Sequence, residues 1–126
     1  KKRIEMANDF KRFTASSVNT TAGAGATAVY TVPSTGSVAM ESIVIGVTLS
    51  NKTNAGVTAS VFLDNYDGSN DVYIVKDASV PSGSSLEVMS GNKLVLQGDG
   101  TTNDAIRVSA GTATALDATV SVLEDV

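Results

Sequence analysis

The sequence predicts an all-β fold, an antiparallel β-sandwich of about eight strands, on three observations. Apolar and polar residues alternate with the period of two that marks a half-buried strand. Clusters of Gly, Asn, Asp and Pro interrupt these runs at the spacing of roughly 8–12 residues seen in sandwiches and barrels. No stretch carries a helical apolar face of useful length. The connections are too short for helical crossovers, so paired strands must run antiparallel. Jelly-roll-like and immunoglobulin-like arrangements both satisfy this pattern.

Taken in order, Ala26 to Val32 reads as a first strand, stopped by Pro33 and the Ser34-Thr35-Gly36 turn. Val38 to Leu49 is the clearest strand. Its Ile43, Ile45, Val47 and Leu49 share one face, with Ser42, Gly46 and Thr48 mostly on the other. Asn51 to Gly56 reads as a hairpin loop. In the third strand Val57, Ala59, Val61 and Leu63 alternate with Thr58, Ser60, Phe62 and Asp64. The Asp64-to-Asp71 turn contains Asp67-Gly68, a strong hairpin signal. Val72 to Lys76 forms the next strand, and Val80-Pro81-Ser82-Gly83 breaks the chain again. Ser85 to Met89 and Lys93 to Gln97 read as two short strands around Ser90-Gly91-Asn92. Ile106 and Val108 mark a strand after the Gly98-to-Asp104 loop. Leu116 to Leu123 closes the fold, with Ala118, Val120 and Val122 inward.

Some apolar residues resist simple alternation. Val72 to Val75 is apolar on both faces, and Phe62 and Val44 occupy nominally wet positions. A sheet with one solvated face needs a cover at such places. Loops, the N-terminal segment or a partner subunit could each supply it.

Residues 1–25 read as an extended basic N-terminal arm, and residues 26–126 as the sandwich domain. Residues 1–12 carry a net charge of +3, while the rest of the chain carries −7. A basic arm on an acidic body suits docking on an acidic neighbour or on nucleic acid. Phe10 and Phe13 are its expected anchors, with Lys11 and Arg12 meeting acids at the rim. An acidic body argues against nucleic-acid binding by the domain itself. Lys1 to Glu5 back-translates to a purine-rich tract just ahead of Met6, so Met6 is the expected initiator. No run approaches a membrane span, and no membrane partner is expected.

The 126 residues include no His, no Cys and no Trp. That excludes a Ser-His-Asp triad, an imidazole base, a thiolate nucleophile, a disulfide framework and His- or Cys-ligated metals. No cofactor is expected. Asp64, Asp67 and Asp71 could together offer oxygens to Ca²⁺, but their order departs from an EF-hand loop and suits an ordinary hairpin turn. Gly98-Asp99-Gly100 lacks the Lys-Ser/Thr and helix of a phosphate loop. Asn19-Thr20-Thr21 and Asn51-Lys52-Thr53 fit the glycosylation sequon. Tyr30, Tyr66 and Tyr73 are the thin aromatic supply for a sugar platform. A catalytic carboxylate pair would have to come from acids that sit mostly in turns.

Several phrases carry a resemblance. They are Tyr30-Thr31-Val32-Pro33, Ile43 to Asn51, Tyr73 to Asp77, Val80 to Glu87, Gly91 to Leu96, and Val120 to Glu124. Together they resemble small virion structural proteins of tailed bacteriophages, marine and cyanobacterial ones especially. The resemblance spans roughly Tyr30 to Glu124. It implies a non-enzymatic virion protein, foremost a capsid decoration (cement) protein that binds the shell as an oligomer. A tail, neck or fibre component is the alternative within that class, and a host-surface carbohydrate-binding module the alternative outside it. The implied partners are the major capsid protein or other virion proteins and further copies of the chain, with a trimer favoured. Phe10, Lys11, Arg12, Phe13, Phe62 and Tyr73 are the interface candidates.

Overall fold

The computed structural model describes residues 8–33, 40–65, 72–89, 93–98 and 101–125. Over these residues it is an antiparallel β-sandwich of nine strands. These are β1 (Asn8–Ala15), β2 (Thr27–Thr31), β3 (Met40–Asn51), β4 (Val57–Asp64), β5 (Val72–Val80), β6 (Ser85–Glu87), β7 (Leu94–Gly98), β8 (Ala105–Ala110) and β9 (Leu116–Asp125). A single 3-10 turn, Gly23–Gly25, is the only helical element among the described residues. The expected start at Met6, the Ser34–Gly36 and Ser90–Asn92 turns, Tyr66, Asp67, Asp71 and Asp99 lie outside the described residues.

One sheet runs β1-β9-β3-β6, with β7 also on β3; the other runs β2-β8-β4-β5. β6 pairs with Thr48 to Ser50 and β7 with Met40 to Val44, both on the same edge of β3. They are two halves of one interrupted strand along β3. Val88 still reaches Val47 across the interruption, its amide donating to the carbonyl at 2.8 Å.

With β6 and β7 counted together, the pairings are first strand with last, second with second-last, third with sixth, and fourth with fifth. That is one long hairpin rolled into two sheets, the jelly-roll arrangement. Its tip is the β4–β5 hairpin, where the sequence carries Asp67-Gly68. Asn51 to Gly56, by contrast, is no hairpin loop. β3 and β4 lie in different sheets, and this segment arches between them.

The core between the sheets is dominated by valine. Val44, Val47, Val61, Val108, Val120 and Val122 are fully buried, with Leu49, Leu96, Ile106 and Leu116 among them. β-branched side chains fit the pleat and lose little rotamer freedom there. At roughly 1.5–3 kcal/mol per fully buried side chain, this layer supplies the main drive to fold.

The inward face of β3 differs from simple alternation. A β-bulge inserts Ile45 between Val44, which pairs with Val122, and Gly46, which pairs with Ser121. Ser42 and Val44 therefore point inward beside Val47 and Leu49, and Ile43 points outward. The extra residue swaps the faces on either side of it. Three consecutive apolar residues, Ile43-Val44-Ile45, hide the swap from any reading of periodicity.

β1 is an edge strand paired along its whole length with β9. Its Lys11, Phe13 and Ala15 are level with buried Val122, Val120 and Ala118, so they face the other sheet. Phe10, Arg12 and Thr14 face outward. Phe13 packs at 4.7 Å on the ring of Tyr30. From β1 the chain crosses to the second sheet through a segment that seals one end of the sandwich. There the Val18 amide donates to the Leu116 carbonyl, and the Ala110 amide to the Asn19 carbonyl.

Candidate functional site

The two outer faces of the sandwich are finished differently. On the β2-β8-β4-β5 sheet, Phe62, Ser60 and Ser109 lie on the outer side yet are buried. The Gly23–Gly25 turn packs against β4, and the Ala26 carbonyl accepts from Arg107 Nη1 at 2.9 Å. Arg107 Nε also donates to Asp64 Oδ2 at 2.8 Å. Tyr73 closes over Phe62 with ring centroids 4.6 Å apart, and Lys76 lies 5.7 Å from the Tyr73 ring centre. The loop before β2 and the edge strand β5 thus cover this face within the chain.

Among the described residues, nothing covers the outer face of the β1-β9-β3-β7 sheet in this way. None of the outward residues on these strands whose burial is described is buried. The strand registers set Phe10 opposite Leu123, Leu123 opposite Ile43, and Ile43 opposite Val95. An apolar row therefore crosses four strands, side chain beside side chain. Phe10 is 77% exposed and Val95 56% exposed. Ile45, pushed out by the bulge, lines a shallow groove beside the row with Phe10, Lys11, Arg12, Ser121 and Val122.

Charge flanks the row on both sides. Arg12 stands two residues along β1 from Phe10, and Lys93 two residues before Val95, both on the Ser121–Gly46 side. Glu41 lies on the other side, level with Gln97 and Asp125. Arg12, Lys93 and Glu41 are all exposed.

Behind β1 sits a buried polar group. Glu124 is 2% exposed and lies at the inner side of β9. Its Oε2 accepts from the Tyr30 hydroxyl at 2.6 Å, and its Oε1 pairs with Lys11 Nζ at 3.0 Å. Because Tyr30 gives its only proton to Glu124, Ser42 Oγ, also at 2.6 Å, donates to the phenol oxygen. Burial and the neighbouring carboxylate push the Tyr30 phenol well above its ordinary value. Ser42 works in the opposite sense, through its hydrogen bond to the phenolate. The geometry of this cluster is that of a clamp between β1, β2, β3 and β9.

The expected interface residues thus separate. Phe10 and Arg12 stand on the open face. Lys11 and Phe13 turn inward and fasten β1. Phe62, at 1% exposure, presents no surface to a partner. Tyr73 is part-exposed on the opposite sheet, away from the row. Ile43, Leu123, Val95, Lys93 and Glu41 were not singled out by sequence reasoning. The Phe10–Phe13 spacing did carry a signal, since residues three apart on a strand face opposite ways.

Of the proposed calcium ligands, Asp64 is held by Arg107. Among the described residues no group of three or more acids, His or Cys could hold a metal ion. Asn51 is buried with its Nδ2 donating to Ala55, Val80 and Pro81 carbonyls, so this sequon asparagine has no nitrogen free for a glycan. No family model, no curated protein and no solved structure matches the chain.

Proposed function

We propose that this chain is a non-enzymatic structural protein of a tailed-phage virion, a capsid decoration protein that binds the shell as an oligomer. The observation that carries the reading is the apolar row Phe10–Leu123–Ile43–Val95 on a sheet face that no described residue covers. Contiguous apolar surface rimmed by charge marks a place where proteins meet. The body behind it is a two-layer sheet with a close-packed core, suited to presenting a fixed surface. Jelly rolls recur in viral capsid and lectin domains. The strand and turn phrases from Tyr30 to Glu124 favour the viral setting.

Mass-spectrometric copy counting on purified particles tests this. A decoration protein is present in hundreds of copies per particle. Tens of copies or fewer would move the chain to the tail, neck or fibre. Particles lacking the polypeptide would overturn the proposal.

A further inference from the structure

We infer that the occupant of the open β1-β9-β3-β7 face is a second copy of this chain, packed face to face about a two-fold axis along the Phe10–Val95 row. The inference rests on reading this face as an assembly surface, and names what covers it.

The argument starts from charge placement. Two residues along a strand span about 7 Å. Arg12 and Lys93 therefore stand about that far to one side of the row, and Glu41 about that far to the other. Rotation by 180° about the row lays Phe10, Leu123, Ile43 and Val95 on their own counterparts. The same rotation exchanges the two sides. Glu41 of the second copy arrives on the basic side of the first, one strand spacing from Lys93. Arg12 arrives level with the Glu41–Asp125 row of the other copy. Apolar residues meet apolar residues, and each basic side meets an acidic one. A rotation about the strand direction would instead set Arg12 against Lys93, like charge against like.

None of these charged groups has a partner within the chain among the described residues. The side chains of Arg12, Lys93 and Glu41 make no hydrogen bond or ion pair there. The face is four strands wide and its longest strands have ten to twelve residues. At about 4.8 Å per strand and 3.4 Å per residue it covers roughly 650 Å² per copy, about 1,300 Å² for a pair. That falls in the range of standard-size specific interfaces.

Two of the free edges, β5 and β1, compete poorly. β5 carries bulges at Ile74 and near Asp77, with Asp77 at a positive φ of 50°. β1 brings Lys11 and Arg12 to its edge. Bulges and charges both discourage edge-to-edge pairing.

Sedimentation equilibrium on the full chain at about 100 μM is the test. The expected mass is twice the 12.8 kDa chain. Val95→Asp should return the chain to the monomer with an unchanged far-ultraviolet spectrum. Arg12→Glu with Lys93→Glu should weaken pairing at least tenfold, as should Glu41→Lys alone. Mixing those two variants should restore a dimer containing one of each. A wild-type monomer overturns the inference, and so does an oligomer that survives Val95→Asp. A mixture that stays monomeric overturns the two-fold geometry. A monomeric chain that still co-purifies with particles would sink the pairing and leave the virion role standing.

Discussion

The hydroxyl of Tyr30 on β2 donates to Oε2 of Glu124 on β9 at 2.6 Å, joining the two sheets across 94 residues of chain. The carboxylate is buried, so its acceptors must be satisfied by protein groups. Tyr30 satisfies Oε2, while Oε1 has only the ion pair to Lys11 Nζ at 3.0 Å. Tyr30→Phe leaves the ring packing on Phe13 intact and strips one donor from a buried charge. The expected loss is about 1–3 kcal/mol, read as a lower urea midpoint at neutral pH. Far-ultraviolet circular dichroism should show the sheet retained.

The same pair sets an alkaline limit. The Tyr30 phenol in the folded chain ionises well above its ordinary value of 10.0, by burial first and then by the Glu124 carboxylate. Below that ordinary value both states are protonated and the contribution is complete. Above it the unfolded chain releases the proton while the folded one keeps it, so stability falls as pH rises. Urea midpoints from about pH 9 to pH 11 should decline more steeply in the wild type than in Tyr30→Phe. Equal slopes would show that this phenol is not the linked group.

At the acidic end the relevant group is Asp117. Its Oδ1 lies 2.8 Å from Lys52 Nζ and accepts from the Ser17 amide at 2.8 Å. The Lys52 hydrogen bond, then the Ser17 amide, hold its carboxyl below the ordinary value of 3.8. A lowered folded value contributes stability above the unfolded one, lost as pH falls through the folded one. The side chain is 43% exposed. Solvent screening therefore keeps the effect near that of a surface pair, about 0.2–1 kcal/mol, and salt should weaken it. Asp117→Asn should flatten the stability profile below about pH 4, as measured by thermal melts at a series of pH values.

Much of this architecture could be read from residue order. β4, β8 and β9 follow from alternation, and the β4–β5 hairpin from Asp67-Gly68. What alternation could not reach was the Ile45 bulge, because Ile43, Val44 and Ile45 are interchangeable in hydropathy. The bulge decides that Ile43 joins the outer row, so the row itself was illegible. Asn51 to Gly56 looked like a hairpin turn because turn chemistry is local, whereas the choice of sheet is made by long-range pairing. β1 was obscured by its unlike faces. Lys11 is an inward residue only because Glu124, distant in sequence, waits for it.

Phe10 and Phe13, alike in sequence, should behave in opposite ways. Phe13 packs on Tyr30 and on the edge of the core. Phe13→Ala should cost about 2–3 kcal/mol, less than a fully buried phenylalanine because one side is open. Phe10 projects from the outer face, so Phe10→Ala should leave the melting temperature within about 1–2 °C of wild type. Its effect should fall on self-association or attachment to particles. A matched loss of stability in both variants would contradict the facing of β1.

Asn51 closes the arch between β3 and β4. Its Nδ2 reaches the carbonyls of Ala55, Val80 and Pro81 at 2.8, 3.0 and 3.2 Å, while its Oδ1 accepts from the Thr53 amide and hydroxyl. One amide thus serves donors and acceptors from two chain segments, and the contact with the Val80 carbonyl is buried. Asn51→Ala should cost about 2–4 kcal/mol, since the Val80 carbonyl loses its side-chain partner in the interior. Asn51→Asp keeps the acceptor side and loses every donor at neutral pH. The new carboxylate would face three carbonyl oxygens, which favours its protonated form. That variant should therefore regain stability as pH falls towards about 4, the reverse of the Asp117 behaviour. Parallel urea titrations at neutral and acidic pH measure the difference, and an Asn51→Asp chain that weakens steadily on acidification would show that the carbonyls are not aimed at residue 51.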